Sequence, residues 1–327
     1  MLVTGGTGFV GAYVIRDLIA AGYKVKALRR KPVVPFYIDA NVFGHVEWID
    51  CDVLDIAGLA EAMKNTDAVI HSAAKVSFHK QDRTELFNTN VEGTTNVINT
   101  ALDNNIRRFI HVSSVASLGK RTDGTMIDEK SKWQESKLNT SYAVSKYYAE
   151  MEVWRGIAEG LNAVVVNPST ILGYGDWDAS SNAIFKNAYK GFPWYTNGVN
   201  GFVDVEDVSA AIVKLLATNI RSERFILNGD NWSYRKVLDT IANGFGKRKP
   251  SREATPFLAS VAWRLEKIKS LLTGKRVLVT RETAKIAQSN TNFDNQKILK
   301  ALPGFTFTNL EQTIKKACIQ YTKSQAL

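Results

Sequence analysis

The stretch TGGTGFVG at residues 4–11 decides the fold. It follows a short apolar run and opens a segment with apolar residues at helical spacing, 9–21. Gly5 permits a tight turn, Gly8 lets backbone amides approach a pyrophosphate, and Gly11 lets the helix pack closely. The start of that helix offers oriented N–H groups and a partial positive charge to the phosphates. The stretch therefore predicts a dinucleotide-binding turn, with cofactor contacts from Gly5, Thr7, Gly8, Phe9, Val10 and Gly11.

From this turn onward, short apolar runs alternate with helical patterns. Several runs are rich in Val and Ile, which is typical of parallel strands buried on both faces. The alternation implies right-handed crossovers and a doubly wound sheet. We predict strands at 1–4, 24–28, 46–50, 67–73, 108–114 and 162–167, helices at 9–21, 56–63, 82–104 and 141–159, a further strand–helix step at 202–216, and a strand at 224–228.

The pattern becomes irregular after Pro168, and this divides the chain. We predict an α/β fold: a doubly wound parallel Rossmann sheet with a smaller, discontinuous, mainly helical C-terminal substrate lobe. The dinucleotide-binding Rossmann domain would comprise 1–168, with 202–228 returning to it. The substrate lobe would comprise 169–201 and 229–327.

Charge is distributed unevenly along the chain. Its net charge is +10, but residues 1–220 hold 22 Lys/Arg and 24 Asp/Glu, whereas 221–327 hold 20 and 8. A solvated basic surface is the favoured interpretation. The alternative is attraction of an anionic substrate or a lipid headgroup. Nucleic acid is not expected, because no DNA- or RNA-binding signature accompanies the charge.

The sequence also bears on location. No apolar run reaches the length of a membrane span, so no transmembrane segment is expected. The first residues already predict a strand, so we expect no signal peptide before the fold. Cys51 and Cys318 lie far apart and offer no disulfide framework, and no cluster has metal-ligand spacing. We expect a cytoplasmic protein without a metal.

The ends of the second and third predicted strands bear on the cofactor. An acid after the second strand would bind a ribose 2′-hydroxyl, whereas an arginine would pair with a 2′-phosphate. The sequence there is ALRRK, 27–31, so Arg29 and Arg30 favour NADP(H) over NAD. Asp52 and Val53 would contact the adenine through a carboxylate and an apolar side chain. A helix N-cap role for Asp52 remains an alternative.

The segment YAVSK, 142–146, places a phenol and an ammonium on one face of a predicted helix. The free tyrosine pKa is about 10, and a nearby ammonium should lower it. Tyr142 could then transfer the proton of a carbonyl/alcohol pair during hydride transfer, while Lys146 also holds the nicotinamide ribose. Ser114, at the end of the fifth predicted strand, would polarise the substrate oxygen.

These motifs together resemble the extended short-chain dehydrogenase/reductases, also called the NAD-dependent epimerase/dehydratase family. The resemblance is greatest to the dihydroflavonol reductase and 3β-hydroxysteroid dehydrogenase branch. The matching stretches are VTGGTGFVG (3–11), HSAA (71–74), NVEGTTNV (90–97), HVSSVASLG (111–119), YAVSK (142–146), NPSTILG (167–173) and FVDVEDVSAA (202–211).

The resemblance implies roles at matching positions. Anchored on Gly119, Ser114 aligns with the family's catalytic serine, so Ser113 would face the cofactor or the core. Asn90 would brace the central helix and strand, and 204–207 would link the two lobes. Further cofactor contacts are implied for Ser72, Ala73, Ala74, Pro168 and Ser169.

One departure from the family's common form bears on the reaction. Asn167-Pro168 and Leu172-Gly173 stand where the sugar-nucleotide enzymes more often have Arg-Pro and Tyr-Gly. We therefore predict an NADP(H)-dependent oxidoreductase that reversibly reduces a ketone or aldehyde, with the anionic or neutral character of the substrate left open. The alternatives are a nucleotide-sugar epimerase or dehydratase with retained NAD(P) and a non-catalytic NADP-binding sensor. A homodimer is an open option.

Overall fold

The computed structural model describes residues 1–119, 125–136, 139–258, 263–264 and 280–325. Its strands are β1 (Leu2–Thr4), β2 (Val25–Arg29), β3 (Val46–Asp50), β4 (Ala68–His71), β5 (Arg108–Val112), β6 (Ala163–Pro168), β7 (Thr170–Leu172), β8 (Trp194–Tyr195), β9 (Val199–Asp204), β10 (Glu223–Leu227), β11 (Asp230–Ser233) and β12 (Arg252–Glu253). Its helices are α1 (Phe9–Ala20), α2 (Ala40–Phe43), α3 (Ile56–Met63), α4 (Arg83–Phe87), α5 (Gly93–Asp103), α6 (Ser141–Ala158), α7 (Ala183–Tyr189), α8 (Val205–Leu216), α9 (Tyr234–Gly244), α10 (Arg281–Ile286), α11 (Gln296–Ala301) and α12 (Leu310–Gln325).

In the described chain, seven parallel strands form the central sheet in the order β3-β2-β1-β4-β5-β6-β10. The predicted Rossmann fold is therefore confirmed. The strand order reverses between β1 and β4, since Leu2 pairs with Lys26 on one side and with Val69 on the other. Ligands of such sheets bind outside the carboxyl ends of the strands at this switch point. The turn after β1 and the ends of β4 and β5 thus share one edge.

Apolar side chains cover both faces of the sheet. On one face, Val3 packs with Ile15 and Leu18 of α1, and α8 joins the same core. On the other face, Leu2 and Phe109 belong to the core formed with α3, α5 and α6. Strands β5 and β6 are buried throughout, because helices lie on both of their faces.

The predicted helix at 82–104 is interrupted. Residues Asn88–Glu92 form a π-helical turn between α4 and α5. In this turn Asn90 accepts from the backbone N–H of Lys75 at 2.7 Å and donates to its carbonyl at 3.0 Å. Its amide also donates to the Ser145 hydroxyl at 3.0 Å, next to Lys146. Asn90 therefore braces the segment after β4 against α6.

The segment 202–228 is shared between two sheets. Its last strand, β10, pairs with β6 in the central sheet, and α8 packs on α1. Its first strand, β9, lies instead in a three-stranded sheet with β7 and β11, over a core that includes Phe185 and Trp232. The division into a cofactor domain and a substrate lobe remains a prediction.

Carboxylates of α8 connect that helix to the C-terminal part of the chain. Asp204 caps α8 and accepts from the Thr313 hydroxyl at 2.7 Å. Asp207 accepts from the backbone N–H and hydroxyl of Thr308 at 2.7 and 2.8 Å. In the described part of the chain, no helix has both the length and the apolar character needed to cross a membrane.

Candidate active site

The glycines of the turn are required by close backbone approach. Gly5 has φ +68°, and a Cβ there would lie 2.7 Å from the Cα of Ala73. A Cβ on Gly11 would lie 2.2 Å from the Gly5 carbonyl oxygen, so the third glycine packs helix α1 against the turn itself. Gly6, which the glycine spacing does not include, is also closely packed, since a Cβ there would lie 2.9 Å from the Cβ of Ala27.

The end of β4 supports this turn from beside it. The Ser72 hydroxyl donates to the Thr4 carbonyl at 2.7 Å, and the Ala73 N–H donates to the Thr4 hydroxyl at 3.2 Å. Ser72 thus holds β4 to β1, while Ala74 is exposed. Ser72 and Ala73 therefore lie beside the glycine turn, where a residue that lines the cofactor would have to be. The Ser72 hydroxyl proton is already donated to the Thr4 carbonyl.

The two arginines after β2 have different partners. The Nε of Arg29 lies 2.6 Å from a carboxylate oxygen of Asp50 on β3, so the charge of Arg29 is compensated. Arg30 has a side chain that is 67% exposed, with only a 3.9 Å contact to Asp52. Arg30 is therefore the better placed of the two to pair with a 2′-phosphate.

Asp52 and Val53 follow β3 as expected. The helix N-cap of α3 is Asp55, whose carboxylate accepts from Gly58 at 3.0 Å, and the alternative N-cap role for Asp52 is wrong. The Asp52 carboxylate instead accepts from the Leu54 N–H at 3.0 Å. Val53 is 6% exposed, so only a small part of its apolar side chain is accessible.

Ser114 and Tyr142 meet at the carboxyl edge of the sheet. Ser114 begins the short helical turn Val115–Leu118, and its hydroxyl accepts from Ala116 at 3.2 Å. Thr140 caps α6 through the Ala143 N–H at 3.0 Å, so Tyr142 projects from the first turn of that helix. The Tyr142 phenol is near enough to the Ser114 side chain for that side chain to act on its pKa.

The ionisation of Tyr142 differs from the sequence expectation. Burial raises the pKa of Tyr142, and the nearby Ser114 side chain opposes that rise only in part. The expected lowering of this pKa is therefore wrong, because removal of the phenol from water is the largest influence on it. Lys146 is 2% exposed, its Nζ donates to the Val112 carbonyl at 2.9 Å, and burial lowers its pKa to about 8.

A buried carboxylate that the sequence reasoning missed lies below this group. Glu150 is 1% exposed and accepts from the Ser113 hydroxyl at 2.7 Å and from Asn167 at 2.8 Å. The resemblance implied that Ser113 faces either the cofactor or the core. Its hydroxyl faces the core, where it binds Glu150. The sequence signal was available, because Glu150 follows Lys146 by one helical turn on the same face.

The end of β6 offers one more polar group. Pro168 and Ser169 are both buried, and Ser169 donates its N–H to Leu227 at 3.0 Å. Among the described residues, the Ser169 hydroxyl has no hydrogen-bond partner. An orphan buried hydroxyl, the glycine-lined turn and the Lys146 ammonium together fit a nicotinamide dinucleotide across this edge. No group of His, Cys, Asp and Glu in the described chain could hold a metal ion.

Comparison with known proteins bears on this arrangement. Residues 1–227 match the model of the NAD dependent epimerase/dehydratase family. The chain is 32% identical over 326 residues to a putative dihydroflavonol 4-reductase of Synechocystis sp., covering 96% of this chain and 92% of that protein. It is 31% identical over 245 residues to cinnamoyl-CoA reductase 1 of Petunia hybrida, covering 68% and 71%.

Solved structures agree in fold. The crystal structure of gox2253 superposes with a TM-score of 0.81 at 29% identity and covers 99% of this chain and 98% of that one. The UDP-glucose 4-epimerase of Thermus thermophilus in complex with NAD has a TM-score of 0.77 at 20% identity, with 98% of each chain covered.

Proposed function

The chain belongs to the NAD dependent epimerase/dehydratase family and is an NAD(P)-dependent oxidoreductase of the extended short-chain type, and from this premise we propose that it reduces a ketone or aldehyde with NADPH. The observation that carries the proposal is the proximity of Tyr142 and Ser114, with the buried Lys146 ammonium one helical turn from Tyr142. The raised pKa of Tyr142 supports the reductive direction, because it keeps the phenol protonated at neutral pH. A protonated phenol is the form that can donate to a substrate oxygen.

Each member of the proposed group has one task. NADPH, when bound, supplies the hydride. The Ser114 hydroxyl donates a hydrogen bond to the carbonyl oxygen and polarises it. The Tyr142 hydroxyl donates its proton to that oxygen as negative charge develops there. Lys146 stabilises the resulting phenolate by its charge and donates to the nicotinamide ribose. The charge of Lys146 is present at pH values below its pKa of about 8.

The proposed cofactor preference depends on the end of β2. Arg29 is occupied by Asp50, so Arg30 is the residue we assign to the 2′-phosphate. The glycine turn would bind the pyrophosphate, Asp52 and Val53 the adenine, and Ser72, Ala73, Pro168 and Ser169 the remaining length of the cofactor. The Arg30 side chain is 67% exposed just after β2, so a phosphate can reach it.

The substrate class follows from the relatives and remains part of the proposal. The relatives named above are a putative dihydroflavonol 4-reductase and a cinnamoyl-CoA reductase. A ketone would receive hydride at its carbonyl carbon and a proton at its oxygen, giving an alcohol. A thioester would receive hydride at its carbonyl carbon and release its thiol, which takes up the proton, giving an aldehyde that the same step could reduce further. The basic C-terminal third, 221–327, is better suited to the anionic thioester than to a neutral ketone.

The test is a substrate screen with purified protein. NADPH consumption is followed with dihydroflavonols, aromatic acyl-CoA thioesters, aldehydes and UDP-sugars, and products are identified by mass. We expect net NADPH oxidation with a ketone, aldehyde or thioester. Conversion of a UDP-sugar without net NADPH oxidation would show an epimerase or dehydratase instead, and cofactor binding without any turnover would show a sensor.

A further inference from the structure

The carboxylate of Glu150 has an unusually complete set of partners for a buried acid. One oxygen lies 3.2 Å from Nη1 of Arg224 on β10 and accepts from the Trp154 indole at 3.3 Å. The other accepts from Ser113 and Ser117 at 2.7 Å and from the Asn167 amide at 2.8 Å. A buried carboxylate without a cation and several donors would be strongly destabilising.

The donors of this network also bind the backbone of Ser114. The Ser117 hydroxyl lies 2.7 Å from both the Ser114 carbonyl and Glu150, and its single proton can serve only one of them at a time. The Asn167 amide lies 3.2 Å from the same carbonyl and 3.0 Å from the Ser117 hydroxyl. If Ser117 donates to the Ser114 carbonyl, that carbonyl is bound by a hydroxyl that also lies beside Glu150. If Ser117 donates to Glu150 instead, the Asn167 amide, which also contacts Glu150, can donate to the Ser114 carbonyl.

Arg224 extends the network to the segment 125–136. Its guanidinium donates to the carbonyls of Glu129 at 2.8 Å and Ser131 at 3.0 Å. The Glu129 carboxylate accepts in turn from the Ile226 N–H at 2.9 Å. This segment lies in sequence between Ser114 and α6. Arg224 therefore connects the chain before Tyr142 with Glu150, which follows Lys146 in α6.

Tyr142, Lys146 and Glu150 follow one another at four-residue intervals on one face of α6. We propose that Glu150, compensated by Arg224, is a positioning residue that holds Ser114 and Lys146 in their reactive geometry, an inference that rests on the catalytic roles proposed above. It does so through the hydrogen bonds to the Ser114 backbone and through its negative charge one turn below the Lys146 ammonium. It touches neither substrate nor cofactor.

A pH profile of kcat can detect the charge of Glu150 through its effect on the pKa of Lys146. The groups that face Lys146 are Tyr142 and Glu150 on its own helix and His71 and His111 on β4 and β5. Burial lowers the pKa of both histidines, that of His71 to about 3, so they are neutral. The pKa of Lys146 is lowered by burial, and the Glu150 charge acts against that lowering.

The experiment compares Glu150→Gln with Glu152→Gln, a matched change on the same helix. The Glu152 side chain is 28% exposed and pairs with Arg155 at 2.9 Å, away from the network. In Glu150→Gln we expect kcat to fall about tenfold through misplacement of the reacting groups, with KM nearly unchanged. The alkaline limb of kcat should move to lower pH, because Lys146 loses its proton earlier without the carboxylate. Glu152→Gln should match the wild type in kcat, in KM and in the pH of the alkaline limb.

Wild-type kcat and an unmoved alkaline limb in Glu150→Gln would overturn the proposal. If that variant fails to fold, Ser117→Ala removes a single hydroxyl of the network and serves in its place. A severalfold loss of kcat at unchanged KM and unchanged melting temperature supports the proposal, and unchanged kcat overturns it.

A readout without turnover separates this inference from the proposed function. If the wild type reduces no carbonyl compound, the proposed function is wrong, and hydrogen exchange then decides the inference. Faster amide exchange over 111–119 in Glu150→Gln than in Glu152→Gln supports positioning by Glu150. Equal exchange in the two variants overturns it.

Discussion

The proposed phosphate-binding turn and the proposed catalytic group lie at the same edge of the sheet but are built in opposite ways. The turn is made of backbone, and at Gly5 and Gly11 it leaves no room for even one added carbon. The proposed catalytic group is made of side chains, and a buried hydrogen-bond network holds the Ser114 backbone beside it. A site of the first kind is damaged when an atom is added, and a site of the second kind when an atom is removed.

The largest expected effect comes from removing one oxygen from the side-chain site. Tyr142→Phe should lower kcat about 10²- to 10⁴-fold, the usual contribution of a positioned general acid. NADPH affinity should stay near the wild-type value, because the ring and its packing remain. Steady-state kinetics and a fluorescence titration with NADPH measure the two effects.

The control for that variant is Tyr148→Phe on the same helix. Tyr148 is 46% exposed, so the loss of its hydroxyl should change neither value. Retention of most activity by Tyr142→Phe would mean that another group supplies the proton.

The next effect comes from adding one carbon to the backbone site. Gly11→Ala places a Cβ 2.2 Å from the Gly5 carbonyl, so the turn must shift, at a cost of about 1–3 kcal/mol. We expect NADPH affinity to fall about 10- to 100-fold, by the same free energy. Gly44→Ala is the control, since its φ is −65° and the nearest atom to its Cβ lies 3.4 Å away. NADPH affinity equal to the wild type in Gly11→Ala would contradict the account of the turn.

The two regions also differ in how far they could be predicted from the sequence. The turn is local: its glycine spacing, the preceding strand and the following helix all lie within about one supersecondary unit. The family resemblance and the doubly wound sheet were therefore predicted correctly, and both are confirmed. The Ser114 and Tyr142 pair could be proposed because each position belongs to a short motif.

The hydrogen-bond network around Glu150 could not be predicted in the same way. Glu150 meets Asn167 across 17 residues and Arg224 across 74, and no local pattern records such pairs. The raised pKa of Tyr142 has the same origin, because it reflects burial by the folded chain rather than the nearby lysine. The π-helical turn around Asn90 was likewise predicted as continuous helix, since its sequence has ordinary helical periodicity.

A smaller effect is expected where a side chain supplements the backbone site. Arg30→Ala should weaken NADPH binding about tenfold, near the lower end for a charge-assisted contact because Arg30 is largely exposed. NADH affinity should not change, since NADH lacks the 2′-phosphate. Isothermal titration with both cofactors checks this, with Arg107→Ala as the control, because Arg107 is exposed and pairs with Asp67 elsewhere. Equal NADPH and NADH affinities in the wild type would contradict the assignment.

The smallest expected effect concerns the basic C-terminal third. Exposed charges of the cluster 247–249 act at long range and are screened over about 10 Å at 0.1 M salt. If the substrate is anionic, kcat/KM at saturating NADPH should fall severalfold as salt rises, with kcat nearly constant. Replacing Lys247, Arg248 and Lys249 by Glu should flatten that slope. A wild type without a slope would leave the cluster as solvated surface.

Transfer of a hydride from NADPH to a carbonyl carbon can be followed directly with an isotope. The protein is incubated with a carbonyl substrate from the screen and NADPH that carries deuterium at the transferable position of the nicotinamide. We expect one deuterium on the former carbonyl carbon for each NADP⁺ formed, and formation of both about 10²- to 10⁴-fold slower in Tyr142→Phe. A product without deuterium, formed with no net oxidation of the added NADPH, would contradict this expectation.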